Sequence, residues 1–181
     1  TRLVHHHGGI NMSIETIVLC CIIVGNTLMQ VGEMPPTSPK SVYDEPAAEE
    51  DFGAQEDDMI ALINAERESA GLPPVQENTA LNEMAQVRLQ EIMVSFSHER
   101  PDDKTKAELM EDVGICPENY MAENILSGTV ASTPQTMMHT FMTSEPHRAW
   151  IISEEVNAVG IAIGRNEHNQ IFAVQTFGDF N

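Results

Sequence analysis

Near the carboxyl end of the chain, a regular alternation of residue size restricts the fold more than any other feature of the sequence. In "VGIAIG", which begins at Val159, each large β-branched residue is followed by a glycine or an alanine. A second apolar run, "QIFAVQTFG", follows the polar sequence "NEHN". Two such runs joined by a short polar turn predict a β-hairpin. Because the small residues share one strand face, they would let a helix pack closely against the sheet.

The chain upstream of the hairpin has the periodicity of helices. "DDMIALINAERESAG" begins with two acids at Asp57 and ends at Gly71 before two prolines, which predicts a first helix. "TALNEMAQVRLQEIMVS" repeats mostly apolar residues every three or four positions, with Arg88 in the same stripe. This spacing predicts a second helix with Thr79 as its N-cap. A shorter helix is predicted from Thr105 to Val113.

Two further segments complete the predicted fold. "STPQTMMHTFMTS" offers Thr133 as an N-cap, Pro134 at the first helical position, and a Met and Phe stripe. We interpret that stripe as core packing rather than as a metal site. "YMAENIL" predicts an additional strand. Helices followed by an antiparallel hairpin indicate an α+β domain in which helices cover a small antiparallel sheet.

The first part of the chain differs in composition from the rest. We assign residues 1–32 to a leader, because the apolar run from Thr16 to Val24 has the length of a signal-peptide core. The run is too short to span a bilayer of roughly 30 Å, although an uncleaved anchor extending through Val31 is the alternative. Residues 33–56 are rich in proline and acids and predict an unstructured linker. The globular domain is predicted over residues 57–181.

The balance of charge excludes one class of partner. The chain has 28 acidic residues against 9 Lys and Arg, and its formal net charge of −19 repels nucleic-acid phosphates and anionic lipid headgroups. We therefore expect no nucleic-acid partner, and membrane contact only through the N-terminal segment if that segment is not cleaved. Cys116 is the lone cysteine of the predicted domain, so no disulfide framework forms there. We interpret Cys116 as a buried structural residue rather than a nucleophile.

The sequence lacks the common catalytic motifs. It contains no H-E-x-x-H, G-x-S-x-G, Walker loop or G-x-G-x-x-G, which disfavours zincin proteases, the common serine hydrolases and the usual nucleotide-binding folds. Among the histidines of the predicted domain, His168 lies in the hairpin turn and His139 on a helix surface. His98 and His147 remain as candidates for chemistry, together with Glu123, which is flanked by the apolar residues of "AENIL".

Several short motifs occur in an order that resembles the CAP superfamily, in particular its bacterial SCP-like branch, which is related to the cysteine-rich secretory proteins. The most specific are the opening "NAERESAGLPP" from Asn64, "FSH" ending at His98, "ENI" from Glu123 and "HRA" from His147. The resemblance covers about residues 57–181. It implies an α-β-α sandwich, normally secreted or facing the cell wall, with a large cleft lined by two histidines and acidic partners.

Carried over residue by residue, the resemblance assigns His98 and His147 as ligands of a divalent cation, often zinc in this family. It places Glu123 behind them, where the carboxylate would orient or deprotonate a bound water. The fourth, acidic position falls near Ser144, with Glu145 adjacent, so Glu145 is the least closely matched member. Two imidazoles with waters in the remaining positions predict weak binding at an open site.

The sequence leaves the function open between three interpretations. We favour a secreted or envelope-associated binding module, without enzymatic activity, whose cleft holds a cation together with a lipid, peptide or cell-wall ligand. The basis is an open two-histidine site without a clear nucleophile. The alternative is a metal-dependent, protease-like hydrolase that uses His98, Glu123 and His147. In the third interpretation the domain is purely structural and its histidines are incidental.

Overall fold

A computed structural model of the protein describes residues 50–180. The predicted leader at residues 1–32 and the predicted linker up to residue 49 lie outside the described residues. The elements follow in the order α1 (Phe52–Ser69), β1 (Gln76–Glu77), α2 (Thr79–Val94), α3 (Lys106–Asp112), β2 (Tyr120–Gly128), α4 (Pro134–Thr143), α5 (Glu145–Ile151), β3 (Ala158–Arg165) and β4 (Ile171–Gly178). No helix within residues 50–180 is long and apolar enough to cross a membrane.

The strands form a four-stranded sheet in the order β1-β3-β4-β2. β3 and β4 are the predicted hairpin, and β2, the additional strand predicted at "YMAENIL", pairs antiparallel with β4. The sheet is mixed rather than purely antiparallel, because β1 pairs parallel with β3 at Ala158 and Val159. β1 has only two residues, which is too short for the alternation that reveals a strand in a sequence.

Helices cover both faces of this sheet and make it the middle layer of an α-β-α sandwich. On one face, Ala85, Leu89 and Ile92 of α2 form a buried cluster with residues of β2, β3 and β4. On the other face, α1, α4 and α5 pack against the large residues of β3 and β4. The helical residues of that second cluster are Met59, Ile63, Met137, Met138, Phe141 and Ile151. The Met and Phe stripe of α4 is therefore part of the core.

Helix and sheet approach each other closely at Gly160 in β3. A Cβ added there would lie 2.2 Å from the backbone carbonyl carbon of Leu81 in α2. Backbone atoms cannot move aside as the end of a flexible side chain can, so only glycine fits. The Leu81 carbonyl also accepts a hydrogen bond from the Thr176 hydroxyl of β4 at 3.0 Å. The small residues of the "VGIAIG" alternation thus allow the close helix packing that the sequence predicted.

Two helix side chains bind the outer edge of β3 beyond β1. The Oδ1 of Asn82, in α2, accepts the backbone N–H of Ile161 at 3.0 Å. The Oε1 of Glu56, in α1, accepts the backbone N–H of Ile163 at 2.9 Å. These contacts satisfy backbone donors that would otherwise be buried without a partner.

The first helix begins earlier than the sequence predicted. α1 starts at Phe52, so residues 52–56 of the predicted linker are helical, and Asp51 caps the helix by accepting the Ala54 N–H at 3.1 Å. The acids that suggested a linker have structural partners here, namely a helix cap and, for Glu56, the edge of β3. A similar shift occurs at α2, where Asn78 rather than Thr79 is the N-cap.

We expect a chain truncated to begin at Asp57 to be less stable than one that begins at Glu50, by about 2 kcal/mol. The shorter chain loses the Asp51 cap and leaves the Ile163 N–H without its acceptor. Urea unfolding of the two truncated chains measures the difference. Equal unfolding midpoints would show that residues 50–56 contribute nothing to the domain.

The opening motif "NAERESAGLPP" has a structural role. The Asn64 side chain accepts from the Val75 N–H at 2.9 Å and donates to the Val75 carbonyl at 3.2 Å, which closes the loop after α1. Arg67 is 1% exposed. Its guanidinium donates to the carbonyls of Pro73, Ile151, Ser153 and Val156 at 2.8–3.1 Å. One buried side chain thereby ties α1 to the segment that joins α5 to β3.

We expect Arg67→Met to lower the free energy of unfolding by about 3 kcal/mol or more. The substitution leaves several buried carbonyls without a donor, and each costs about 1–3 kcal/mol. Arg148→Met, at an exposed position of α5, serves as the control and should change stability by no more than about 0.5 kcal/mol. Chemical denaturation of both variants decides the matter, and similar losses in the two would contradict this role for Arg67.

Candidate functional site

Glu123 forms the centre of a charged cluster between β2 and the loop after α2. Its side chain is 0% exposed. The carboxylate accepts from Arg88 twice, at 2.7 Å from Nε to Oε2 and at 3.3 Å from a terminal nitrogen to Oε1. Oε1 also lies 2.9 Å from His98 Nδ1 and 3.6 Å from Lys106 Nζ. Every oxygen of this buried carboxylate is therefore in contact with a cation or a histidine.

Arg88 occupies the buried stripe of α2 and is 0% exposed. In addition to Glu123, its guanidinium binds the Glu91 carboxylate one helical turn later and the Ser97 carbonyl at 2.7 Å. A buried arginine requires such partners, since an unpaired charge in the interior is strongly destabilising. The residue thus connects α2, the loop that carries His98, and β2.

A second arginine contacts the part of the loop that follows His98. Arg100 makes a bidentate ion pair with Glu91 and donates to the Thr105 carbonyl at 2.8 Å. Glu91 is thereby shared between Arg88 and Arg100. The loop between α2 and α3 is tied down before and after His98, which limits where the imidazole can lie.

The cations around Glu123 decide its ionisation. Burial alone would raise the pKa of the Glu123 carboxyl, but the hydrogen bond and charge of Arg88, followed by Lys106 and His98, lower it overall. The group is therefore an anion at neutral pH and accepts hydrogen bonds without donating any. The structure places His98 against this carboxylate, and the sequence expectation that Glu123 holds a water stays a prediction.

The contact with Glu123 favours one tautomer of a neutral His98. Because the carboxylate only accepts, the hydrogen of a neutral imidazole lies on Nδ1, and Nε2 carries the free lone pair. The His98 side chain is 53% exposed. Within residues 50–180, Nε2 has no hydrogen-bond partner. A histidine held through Nδ1 by a carboxylate, with Nε2 open, is the arrangement found at many metal ligands.

His147 lies in α5, half-buried, and is the second histidine of the site. Asn124, next to Glu123 in β2, donates to the His147 backbone carbonyl at 3.0 Å. The imidazole packs edge-on against Phe141, with ring centroids 5.5 Å apart. Burial, and then the charge of His98, lower the pKa of His147 below its ordinary value of 6.5. The ring is therefore mostly neutral at pH 7.

The remaining predicted positions do not join this cluster. Glu145 is the exposed first residue of α5, and Ser144, its N-cap, has no carboxylate to contribute. His139 and His168 are exposed, as expected.

Cys116, predicted to be buried, is an exposed free thiol, because it follows α3 at the surface instead of lying in the core.

The cluster offers a cation few protein ligands. No group of three or more His, Cys, Asp or Glu side chains in the described part of the chain is arranged to hold a metal ion. As ligands, His98 and His147 would supply two imidazoles, which is fewer than the three or four protein ligands of ordinary zinc sites. The donor set fits only an open and weak site completed by waters or by a ligand.

Sequence reasoning missed the part that Arg88 and Lys106 play. For Arg88 a signal was present, since a charged residue in an apolar stripe implies a buried partner of opposite charge. The identity of that partner, 35 residues away in the sequence, could not be inferred from the helix periodicity.

We expect the contribution of Glu91 to stability to depend on pH. Burial would raise the pKa of Glu91, but Arg100 and Arg88 lower it overall, below 4.5. Its ion pairs therefore stabilise the fold above pH 4.5 and are lost as the pH falls through the lowered pKa. Glu91→Gln should lower the free energy of unfolding by about 1–2 kcal/mol at pH 7. The difference in stability between the variant and the parent protein should disappear in acid.

Urea unfolding of both proteins between about pH 3 and pH 7 tests this pH dependence. Glu99→Gln, which removes a negative charge from an exposed position of the same loop, is the control. A gap that stays constant across the whole acid range would contradict the assignment.

Comparison with known proteins agrees with this architecture. The model of the "Cysteine-rich secretory protein family", CAP, matches residues 60–177. The "Uncharacterized protein YkwD" of Bacillus subtilis is 29% identical over 134 residues, which is 73% of this chain and 50% of the relative. The chain thus spans about half the length of this curated relative.

Solved structures show the same fold at lower identity. An extracellular protein containing an SCP domain from Bacillus anthracis aligns with a TM-score of 0.59 at 17% identity, covering 71% of this chain and 41% of that one. An outer surface protein from Borrelia burgdorferi aligns with a TM-score of 0.59 at 11% identity, covering 73% of this chain and 97% of that one. With the family match extending from α1 to β4, the chain belongs to the cysteine-rich secretory protein family, within the CAP superfamily and similar to its bacterial SCP-like members.

Proposed function

We propose that this CAP domain is a non-enzymatic binding module that acts outside the cell or in the cell envelope. In this proposal His98 and His147 hold a divalent cation weakly, and the bound cation prepares the site for a lipid, peptide or cell-wall ligand. The observation that carries the proposal is the contact between His98 Nδ1 and the buried carboxylate of Glu123, at 2.9 Å. This contact leaves the Nε2 lone pair of an exposed imidazole available as a ligand.

The state of His147 supports the same function. Its lowered pKa keeps the ring neutral, which is the form that binds a metal ion. When a cation is bound, it would supply a positive centre that attracts an anionic or carbonyl group of a ligand. The residues of the chain would orient that centre through Glu123 and Asn124.

The hydrolase alternative has less support, because Glu123 is poorly suited to act as a general base. A base must reach a water and must have a pKa near the working pH. Glu123 has a lowered pKa, and its side chain is 0% exposed and engaged with Arg88 and His98. Cys116 is an exposed thiol, and within residues 50–180 no histidine is hydrogen-bonded to it that could activate it as a nucleophile.

The proposed location rests mainly on the descriptions of two structural neighbours. The Bacillus anthracis structure is described as an extracellular protein, and the Borrelia burgdorferi structure as an outer surface protein. We propose that this chain also acts outside the cell membrane, in keeping with the signal-peptide core expected in residues 16–24. That segment lies outside the described residues.

Zinc titration by calorimetry tests the proposed site. The background should be a full chain in which His5, His6 and His7 are replaced by alanine, because a histidine tract binds zinc by itself. We expect one weak site whose affinity falls about tenfold or more in His98→Ala and in His147→Ala. Glu145→Ala, at the exposed neighbouring position, is the matched control and should bind as the parent does.

Two results would contradict the proposal. Unchanged zinc affinity in both histidine variants would remove the cation site and favour a purely structural domain. Zinc-dependent turnover of peptide or ester substrates, abolished by His147→Ala, would favour the hydrolase instead.

A further inference from the structure

We propose that Arg88 is the positioning residue of this site: its guanidinium holds both Glu123 and the backbone before His98, and so fixes the imidazole with Nδ1 inward and Nε2 outward. The inference rests on the proposed function, and it adds to that function the residue that sets how His98 is presented. Arg88 acts through Glu123 and the backbone, without a hydrogen bond of its own to the imidazole.

Arg88 restricts the plane of the Glu123 carboxylate. Arg88 Nε donates to Glu123 Oε2 at 2.7 Å, and a terminal nitrogen reaches Oε1 at 3.3 Å. A guanidinium that grips both oxygens of a carboxylate restricts its rotation, because the two donors lie in one rigid plane. The shorter of the two Arg88 bonds goes to Oε2, and Oε1, which also lies 3.6 Å from Lys106 Nζ, meets His98 Nδ1 at 2.9 Å.

Arg88 also holds the backbone that carries His98. The same terminal nitrogen of Arg88 donates to the carbonyl of Ser97 at 2.7 Å. Ser97 directly precedes His98. One guanidinium therefore contacts both the carboxylate that faces the imidazole and the backbone to which the imidazole is attached. A displacement of either would change the distance across which Nδ1 and Oε1 meet.

Burial distinguishes the Arg88–Glu123 pair from the imidazole that it contacts. The side chains of Arg88 and Glu123 are both 0% exposed, whereas that of His98 is 53% exposed. The exposed ring is therefore oriented by a rigid, buried pair rather than by solvent. A lysine at position 88 would keep the positive charge, but a single ammonium cannot reproduce the forked contact with Glu123 and the bond to Ser97.

The experiment measures the His98 tautomer directly. Long-range proton–nitrogen NMR of the imidazole rings is recorded on the metal-free full chain at about pH 8, where an ordinary histidine is neutral. The background again lacks His5, His6 and His7. The variants are Arg88→Lys and, as a matched control, Arg67→Lys, because Arg67 is similarly buried but binds only backbone carbonyls.

In the parent protein we expect His98 to carry its hydrogen on Nδ1. In Arg88→Lys we expect a mixture of the two tautomers and an affinity for zinc that falls about tenfold or more. In Arg67→Lys we expect lower stability, with the His98 tautomer unchanged. The tautomer is a readout that a loss of stability alone does not move.

The proposal is overturned if folded Arg88→Lys keeps His98 as the pure Nδ1–H form with the parent's zinc affinity. It is also overturned, even if Arg88→Lys fails to fold, by a parent protein whose His98 carries the hydrogen on Nε2. A tautomer that shifts in Arg88→Lys, in a parent that binds no zinc, would support the positioning role and reject the proposed cation site. The failures of the two proposals are thereby distinguishable.

Discussion

The close packing of α2 on the sheet is the constraint on which the site depends. Gly160 of β3, Thr176 of β4 and Glu123 of β2 form one row across the sheet, since Thr176 is the register partner of both others. At one end of the row, Gly160 and Thr176 bring the sheet against Leu81 of α2. At the other end, Glu123 meets Arg88, about two helical turns further along the same helix. A helix lying further from the sheet could not make both contacts.

The two buried arginines show two uses of the same side chain. Arg67 satisfies neutral carbonyls and joins segments that the sheet does not connect. Arg88 is paired with carboxylates, which themselves need burial and compensation. Burying an ion pair offers little net stability compared with apolar packing, so a retained buried pair is better explained by the geometry that it imposes. Here the buried pair contacts the exposed side chain of His98 through Glu123.

Much of the fold was accessible from local sequence. The alternation in "VGIAIG" predicted β3, the face of β3 that α2 covers, and the hairpin with β4, because a period of two is a direct consequence of strand geometry. The predicted helix starts were less accurate. The first helix was expected to begin at Asp57, and it begins at Phe52. The start of α1 depends on contacts with β3, far away in sequence, and acidic residues looked like those of a linker.

The site was accessible only in part. The motif resemblance singled out His98, Glu123 and His147, and the structure joins His98 to Glu123. It could not reveal that "NAERESAGLPP" acts through Asn64 and Arg67 as a structural motif, since the acceptors of Arg67 lie up to 89 residues away. Nor could it show that the Glu123 carboxylate contacts the His98 imidazole, because that contact depends on the burial of Glu123 and on Arg88.

The side chains of Asn82 and Glu56 on the outer edge of β3 also bear on the solubility of the domain. A free strand edge is a template on which a second chain can extend the sheet, and proteins that leave such an edge open are prone to aggregate. At Ile161 and Ile163 the donors that such a chain would need are already taken by α2 and α1. An incoming strand would have to displace two helix side chains before it could pair, so this edge is a poor starting point for fibrils.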